Sequence, residues 1–276
     1  MWGDIAIAFL LAFITTFVLT PYTIKIAKKI GAVDIPKDSR RMHNKPIPKF
    51  GGPAIIIGFL LSTVYLIITS SIEGNINIFG PENYVVKLIG LLLGIMVLSF
   101  VCFFDDIKGI HPLVKLSGQL CAAAIVIACG IRIDNFNIPF FEGNIILSNA
   151  FSIILTMGWI VGITNAINLI DGLDGLSSGI TLIACISMLI IFSLNESPLI
   201  AIILITALAG AIVGFLPYNF NPAKTFIGDV GSNFMGYAIS IISILGVAKT
   251  YTAIVIIAPI IVLALPIFDT LWAIVR

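Results

Sequence analysis

Long apolar runs that are almost free of charge dominate this sequence and limit what the chain can fold into. About 20 apolar residues cross a bilayer as a helix. Of the 276 residues, 59% are apolar and 11% are charged, whereas roughly 25% are charged in soluble domains. We therefore predict an all-α polytopic integral membrane protein, with one transmembrane domain over residues 1–276. About nine spans are predicted, at roughly 4–24, 52–70, 87–104, 114–130, 151–168, 178–194, 199–216, 233–248 and 252–274.

The basic residues predict how these spans are oriented. Of the 15 lysines and arginines, Lys87, Arg132 and Lys249 fall on one side of the predicted membrane and the other 12 fall on the opposite side. The positive-inside rule makes the 12-residue side cytoplasmic and leaves the N-terminus outside. No basic segment precedes the first run, so we expect an anchor rather than a cleaved signal peptide. A net charge of +1 also argues against a nucleic-acid partner.

Two adjacent aspartates, Asp105 and Asp106, directly follow the third apolar run. They could simply mark the point where a helix leaves the bilayer. Two neighbouring carboxylates repel each other unless a cation or a proton joins them, so the pair also suits a divalent cation or a base that handles phosphate. Lys108 and Lys115 follow within reach of a phosphate.

A polar stripe ends the fifth run, where Asn165, Asn168, Asp171 and Asp174 recur at every third residue. Such a stripe must face a cavity or other helices, because exposing it to lipid is costly. The alternative is that these side chains only join helices by hydrogen bonds. The spacing is not that of an EF-hand calcium loop.

Two further loops on the same side carry candidate binding residues. Before the eighth run, Gly228 and Gly231 flank Asp229, and a helix that opens there would offer N-terminal amides to a phosphate. The same glycines could equally form an ordinary turn. The first loop holds eight of the 15 basic residues together with several prolines and glycines. It is either a topology signal that touches anionic lipid or a shaped loop for an anionic ligand.

Four motifs occur in order on alternate loops: DSRRMHNKPIPKFGG, FFDDIKG, NAINLIDGLDGLSSG and FIGDVGSNFMG. Together they closely resemble the polyprenyl-phosphate N-acetylhexosamine-1-phosphate transferases of glycosyltransferase family 4. The first motif resembles the bacterial enzymes that load N-acetylglucosamine 1-phosphate onto undecaprenyl phosphate, the step that starts teichoic acid, O-antigen and lipopolysaccharide synthesis. The phospho-N-acetylmuramoyl-pentapeptide translocases are similar in the other three motifs only, and another UDP-N-acetylhexosamine stays an alternative substrate.

The resemblance implies a reaction, a cofactor and a location. The enzyme would use Mg²⁺, with Mn²⁺ as a substitute, to transfer the sugar phosphate from UDP-N-acetylglucosamine and release UMP. It would act at the cytoplasmic face of the bacterial plasma membrane, as a homodimer. The family usually has ten or eleven spans, and this chain stops at Arg276, where a histidine-bearing loop and a last helix are expected.

The resemblance also assigns roles to residues. Asp229 would be the principal Mg²⁺ ligand, and Asp106 would support the metal or the substrate. Asp105 would place or deprotonate the lipid phosphate, and Asp171 completes the expected catalytic set. Phe226 would stack on uracil, with Asn219 bonding nearby. The expected substrate contacts are Arg41, His43, Lys108, Lys115, Asn165, Asn168, Asp174, Asn219 and Phe226.

Two other classes of protein remain open at this point. A secondary transporter would use its carboxylates as ion sites near the middle of the membrane. Here the carboxylates collect at one face, which favours chemistry at the membrane surface. An inactive scaffold subunit rests only on the missing C-terminal loop.

Overall fold

The computed structural model describes residues 2–36, 45–74, 83–137, 144–195 and 197–246. Eight helices account for most of these residues. They are α1 (Trp2–Ile30), α2 (Gly52–Ile72), α3 (Tyr84–Lys108), α4 (Pro112–Ala128), α5 (Asn149–Leu169), α6 (Leu176–Leu194), α7 (Leu199–Asn219) and α8 (Gly228–Leu245).

Two small antiparallel hairpins lie in the connections and qualify the all-α prediction. β1 (Val33–Asp34) pairs with β2 (Ile47–Pro48), and β3 (Asn135–Asn137) pairs with β4 (Asn144–Ile146). Residues outside a helix cannot use helical hydrogen bonds, and short strand pairs satisfy some of their backbone groups.

Among the described residues, six helices are long and apolar enough to cross a membrane: α1, α2, α3, α5, α6 and α7. The prediction of a helical, multi-pass membrane protein is confirmed in this coarser form. Each of the first eight predicted spans overlaps a helix, although α4 is shorter and α8 is not among the six. The ninth, at 252–274, lies outside the described residues. The side on which the N-terminus lies stays a prediction.

Two helices form the centre of the bundle. α7 packs against α1, α2 and α6, and α8 packs against α3 and α5. Small residues permit close approach: a Cβ atom added at Gly214 of α7 would lie 2.4 Å from the Phe13 carbonyl oxygen of α1. A Cβ atom at Gly236 of α8 would lie 2.7 Å from the Thr164 Cα atom of α5.

The segment that follows the basic loop pairs with the connection between α7 and α8. The Phe226 N–H donates to the Pro48 carbonyl oxygen at 2.8 Å, and the Gly52 N–H donates to the Ile227 carbonyl oxygen at 2.8 Å. A Cβ atom at Gly52 would lie 2.3 Å from the Gly231 nitrogen, so this contact requires glycine. The pairing brings the end of the first motif to the first turn of α8.

Candidate active site

Four helix ends meet at one end of the bundle and bring three of the sequence motifs together. α3 ends with Asp105 and Asp106, α4 begins near Lys115, α5 ends near Asn168, and α8 begins with Asp229. Hydrogen bonds and ion pairs connect these side chains directly. Residues of three separate motifs therefore lie together at this end of the bundle.

Lys115 is the centre of this cluster. Its ammonium nitrogen lies 3.0 Å from Asn168 Oδ1 and 3.1 Å from Asp105 Oδ2, and it also contacts Asp229 Oδ1. Asn168 Nδ2 in turn donates to Asp229 Oδ1 at 3.0 Å and to Ser232 Oγ at 2.8 Å. One cation thus joins carboxylates from two different helices, and the amide of Asn168 fixes the geometry between them.

Asp106 differs from its neighbour, because its fully buried carboxylate holds the N-terminus of α8. Oδ1 accepts the Asp229 N–H at 2.8 Å, and Oδ2 accepts the Val230 N–H at 3.1 Å. Lys49 lies 3.7 Å from Oδ1. Both oxygens accept a backbone N–H, and a negative charge stabilises the first turn of a helix. Asp106 therefore holds the backbone of Asp229 in place, and its role in supporting the metal or the substrate stays a prediction.

Asp171 lies in the turn after α5, next to the cluster. Burial, followed by the negative charges of Asp229 and Asp106, raises the pKa of its carboxyl well above the ordinary value, and Lys115 opposes this shift. Several carboxylates share a poorly solvated volume here. Any additional cation in this volume would favour the ionised form of Asp171.

The oxygen atoms at this end of the bundle suit a Mg²⁺ ion that is bound by one or two carboxylates. Among the described residues, no three acidic, histidine or cysteine side chains converge as a ready metal cage. Protein-bound Mg²⁺ usually takes one or two carboxylates and completes its shell with water and substrate phosphates. Lys115 Nζ already occupies a cation position between oxygens of Asp105, Asn168 and Asp229. The oxygens of that position are the type that Mg²⁺ prefers.

Two predicted substrate contacts, Asp174 and Asn219, bond to the connection between α7 and α8 in the structure. Asp174 Oδ2 accepts from Asn221 Nδ2 at 3.1 Å and from the Ala223 N–H at 2.9 Å. Asn219 is 3% exposed; its Nδ2 donates to the Thr225 carbonyl oxygen, and its Oδ1 accepts from the Ser178 hydroxyl. The hydrogen bond of Asn219 near the nucleotide base stays a prediction. In the structure its buried amide fixes the connection between α7 and α8.

The remaining predicted residues have varied positions. Phe226 belongs to the backbone pairing with Pro48, and its stacking on uracil stays a prediction. Lys108 is exposed at the end of α3, and within the described residues no ion pair joins it to the cluster. Arg41 and His43 lie outside the described residues.

Sequence reasoning missed two residues behind the site, Gln119 and Asn233. Gln119 Nε2 donates to Asn233 Oδ1 at 2.8 Å and to Asn165 Oδ1 at 3.2 Å. The predicted substrate contact Asn165 is therefore engaged in a network of amides. The available signal was a single glutamine inside the apolar fourth run, which could not by itself be assigned a partner.

A family model described as glycosyl transferase family 4 matches residues 88–247, which is more than half of the chain. The chain belongs to glycosyl transferase family 4. The matched segment includes α4 to α8 and nearly all of α3, and therefore every helix that contributes to the site.

Several named proteins are similar to this chain over most of its length. A probable undecaprenyl-phosphate N-acetylglucosaminyl 1-phosphate transferase of Bacillus subtilis is 38% identical over 272 residues, covering 99% of this chain and 71% of that protein. A decaprenyl-phosphate N-acetylglucosaminephosphotransferase of Mycobacterium tuberculosis is 33% identical, covering 84% of this chain and 58% of that protein. A phospho-N-acetylmuramoyl-pentapeptide-transferase of Staphylococcus epidermidis is 31% identical, covering 86% of this chain and 74% of that protein.

Proposed function

We propose that this chain transfers N-acetylglucosamine 1-phosphate from UDP-N-acetylglucosamine to undecaprenyl phosphate and releases UMP. The observation that carries the proposal is the cluster of Lys115, Asp105, Asn168 and Asp229 at one end of a membrane bundle. A soluble nucleotide and a lipid phosphate can meet only at the level of the headgroups, and two anions can approach only where cations neutralise them. The name of the B. subtilis relative gives this transfer to undecaprenyl phosphate, and the name of the M. tuberculosis relative gives a similar transfer to decaprenyl phosphate.

The reaction exchanges one phosphorus–oxygen bond for another. An oxygen of the lipid phosphate attacks the phosphorus that bears the sugar, and the bond from this phosphorus to the bridging oxygen of UMP breaks. The anomeric bond of the sugar is untouched, so its configuration is retained. A phosphomonoester has a second pKa of about 6 and is largely dianionic at pH 7. Placement of the nucleophile therefore matters more than its deprotonation.

The side chains of the cluster divide this work. The Lys115 ammonium neutralises phosphate charge, and Asn168 keeps it aligned with Asp229. Asp105, held through the Ile110 N–H and Lys115, faces the same volume and would place the lipid phosphate. Mg²⁺ would be held by Asp229 with oxygens of Asn168 or Asp105, and when bound it supplies additional charge neutralisation to the phosphates.

The proposed location follows from the distribution of charge. The site lies at the end of the bundle where α1 finishes with Lys28 and Lys29, and where Lys49 and Lys115 contact carboxylates. By the positive-inside rule this end faces the cytoplasm, where nucleotide-sugars are made. We therefore place the N-terminus outside and the site inside, in the bacterial plasma membrane.

The sugar is the least constrained part of the proposal. The S. epidermidis relative acts by name on a phospho-N-acetylmuramoyl-pentapeptide, and it covers slightly more of this chain than the M. tuberculosis relative does, 86% against 84%. The first-loop motif and the 38% identity to the B. subtilis relative favour N-acetylglucosamine.

The test is an assay on membranes that contain the chain, with UDP-N-acetylglucosamine or UDP-N-acetylmuramoyl-pentapeptide as donor and undecaprenyl phosphate as acceptor. We expect UMP and lipid-linked sugar from the first donor only, with loss of activity on chelation and recovery with Mg²⁺ or Mn²⁺. Membranes with Asp229→Asn are the matched control. Release of UDP would contradict the proposal, because it would mean that the sugar moved without its phosphate.

A further inference from the structure

A second polar layer lies directly behind the charged cluster, inside the bundle. It consists of three amide side chains from three helices: Gln119 of α4, Asn165 of α5 and Asn233 of α8. Gln119 is 2% exposed and Asn233 is not exposed at all. We call these three residues the amide layer.

The amide layer is closed by reciprocal hydrogen bonds. Gln119 Nε2 donates to Asn165 Oδ1 at 3.2 Å and to Asn233 Oδ1 at 2.8 Å, and Gln119 Oε1 accepts from Asn165 Nδ2 at 2.7 Å. Asn233 Nδ2 donates to the carbonyl oxygen of Asp229 at 2.8 Å. Gln119 thus uses both donors and its acceptor at once. No charged or purely apolar side chain could satisfy both partners.

Each residue of the amide layer lies about one helical turn from a residue of the charged cluster. Gln119 lies four residues after Lys115, Asn165 lies three before Asn168, and Asn233 lies four after Asp229. Residues three or four apart share a face of a helix, one turn or about 5.4 Å apart along its axis. The same three helices therefore meet in two successive layers, and rotating or sliding one helix would disturb both.

From this stacking we infer that Gln119 is a positioning residue, which sets the rotation and axial register of α4, α5 and α8 so that Lys115, Asn168 and Asp229 converge. Its catalytic consequence rests on the proposed function. The geometric part does not, because it concerns how the first turn of α8 is held.

The test variant is Gln119→Met, which keeps the length and bulk of the side chain and removes the amide. Hydrogen–deuterium exchange of the detergent-solubilised protein reports on the first turn of α8, residues 229–232. We expect exchange there to be about tenfold faster, the factor that corresponds to losing one net buried hydrogen bond. In the UMP assay we expect kcat to fall roughly 30-fold, less than the hundredfold typical of a 1 Å misplacement, with KM little changed.

Tyr237→Phe is the matched control. The Tyr237 hydroxyl donates to the Ala122 carbonyl oxygen at 3.3 Å and joins α8 to α4 one further turn from the site. This variant also loses one buried hydrogen bond between the same helices. We expect exchange at residues 229–232 and kcat to stay within about twofold of the wild-type values, the change typical of a substitution outside the site.

A second variant separates position from stability. Gln119→Met leaves Asn233 Oδ1 buried without its donor, whereas Gln119→Met with Asn233→Leu removes that unpaired oxygen; Asn165 loses Gln119 in both variants. Replacing both partners of a hydrogen bond by apolar groups can be nearly neutral for stability. We expect the double variant to unfold at a higher temperature than Gln119→Met and still to have low kcat, which a purely stabilising role would not produce.

Two results would overturn the inference. One is wild-type exchange at residues 229–232 in Gln119→Met, and the other is equally fast exchange there in Tyr237→Phe, which would make the effect one of general packing. If the wild type releases no UMP, the proposed function fails, and the exchange comparison alone decides whether Gln119 positions α8.

Discussion

The two helices at the centre of the bundle, α7 and α8, are both buried, but they bury different kinds of side chain. α7 is strongly apolar, with a mean hydropathy of 2.8, and 83% of its most apolar 18-residue stretch is buried inside the bundle. α8 is buried along most of its length too, yet it is not among the six helices that qualify as membrane spans. A charge-poor run marks both helices in the sequence, but only α7 is apolar enough over its whole length to qualify as a membrane span.

The difference lies in what each helix presents to its neighbours. α7 buries isoleucine, alanine and glycine, and Gly210 and Gly214 let α1 approach its backbone closely. α8 buries polar side chains whose hydrogen bonds are satisfied within the helix or by α4 and α5. Buried polar groups are usually paired, because leaving one unpaired costs free energy. The helix that carries the site is therefore the one whose position depends on specific partners.

The largest effect should come from Asp229, the first polar side chain of α8. Asp229→Asn keeps the shape of the side chain and removes the charge that faces Lys115 and the proposed Mg²⁺. We expect the rate of UMP release to fall on the order of a thousandfold, which corresponds to about 4 kcal/mol of transition-state stabilisation. Rates would be measured across a Mg²⁺ titration, with folding checked by size-exclusion profiles.

Asp134→Asn is the control for this change. Asp134 pairs with Arg132 and Ser152, and its side chain is 57% exposed. It lies at the far end of α5 from Asn168, and we expect activity within about twofold of wild type. Near-normal rates for Asp229→Asn at low Mg²⁺ would contradict a role of α8 in the reaction. The difference between α7 and α8 would then have no consequence for function.

Lys115 gives the next largest effect, because it joins α8 to α3 and α4. In Lys115→Met, Asp105 and Asp229 lose the ammonium between them, and we expect UMP release to fall about a hundredfold. Part of the loss should be regained at high Mg²⁺, since a second cation can neutralise the same carboxylates. Lys87→Met, at the opposite end of α3, should leave the rate within about twofold. Loss of activity that no Mg²⁺ concentration relieves would contradict this electrostatic reason.

The sequence predicts the parts of this arrangement that depend on composition and on local spacing. Charge-poor runs predicted the positions of α1 to α8, and the pattern of polar residues placed the carboxylates at one face, while the resemblance implied that Asp105, Asn168 and Asp229 share one site. Both patterns can be read along one helix at a time, because they rest on hydropathy and helical periodicity.

Contacts between helices could not be predicted in the same way. Asp105 and Asp106 are adjacent in the sequence, yet one faces Lys115 and the other caps α8. Asn219 reads as a polar loop residue and is buried. Which helix lies beside which decides these outcomes, and no pattern within one segment carries that information. The same holds for Gln119, whose partners are 46 and 114 residues away.

A smaller effect, on stability rather than on rate, should come from α7. A Cβ atom at Gly214 would lie 2.4 Å from the Phe13 carbonyl oxygen, so Gly214→Ala forces α1 and α7 apart. We expect a loss of about 1–3 kcal/mol in the free energy of unfolding, the usual range for overpacking. Gly162→Ala in α5 has no atom within 4 Å of the added carbon and should be neutral. Equal unfolding transitions for the two variants would show that close packing does not hold α7.

The smallest effect should measure what one polar contact contributes to holding α8. Trp159 Nε1 of α5 donates to Ser243 Oγ at 3.0 Å and lies 3.3 Å from the Ser240 carbonyl oxygen. A double-mutant cycle with Trp159→Phe and Ser243→Ala isolates the side-chain pair, and interhelical hydrogen bonds in membrane proteins average about 0.6 kcal/mol in such cycles. We expect a coupling of that size, measured by unfolding of the solubilised protein, and unchanged kcat because the pair lies about four turns from Asp229 along α8. A coupling of several kcal/mol would mean that single polar pairs, rather than the sum of many, fix α8 in the bundle. α8 would then be held by a different kind of contact from the close packing that holds α7.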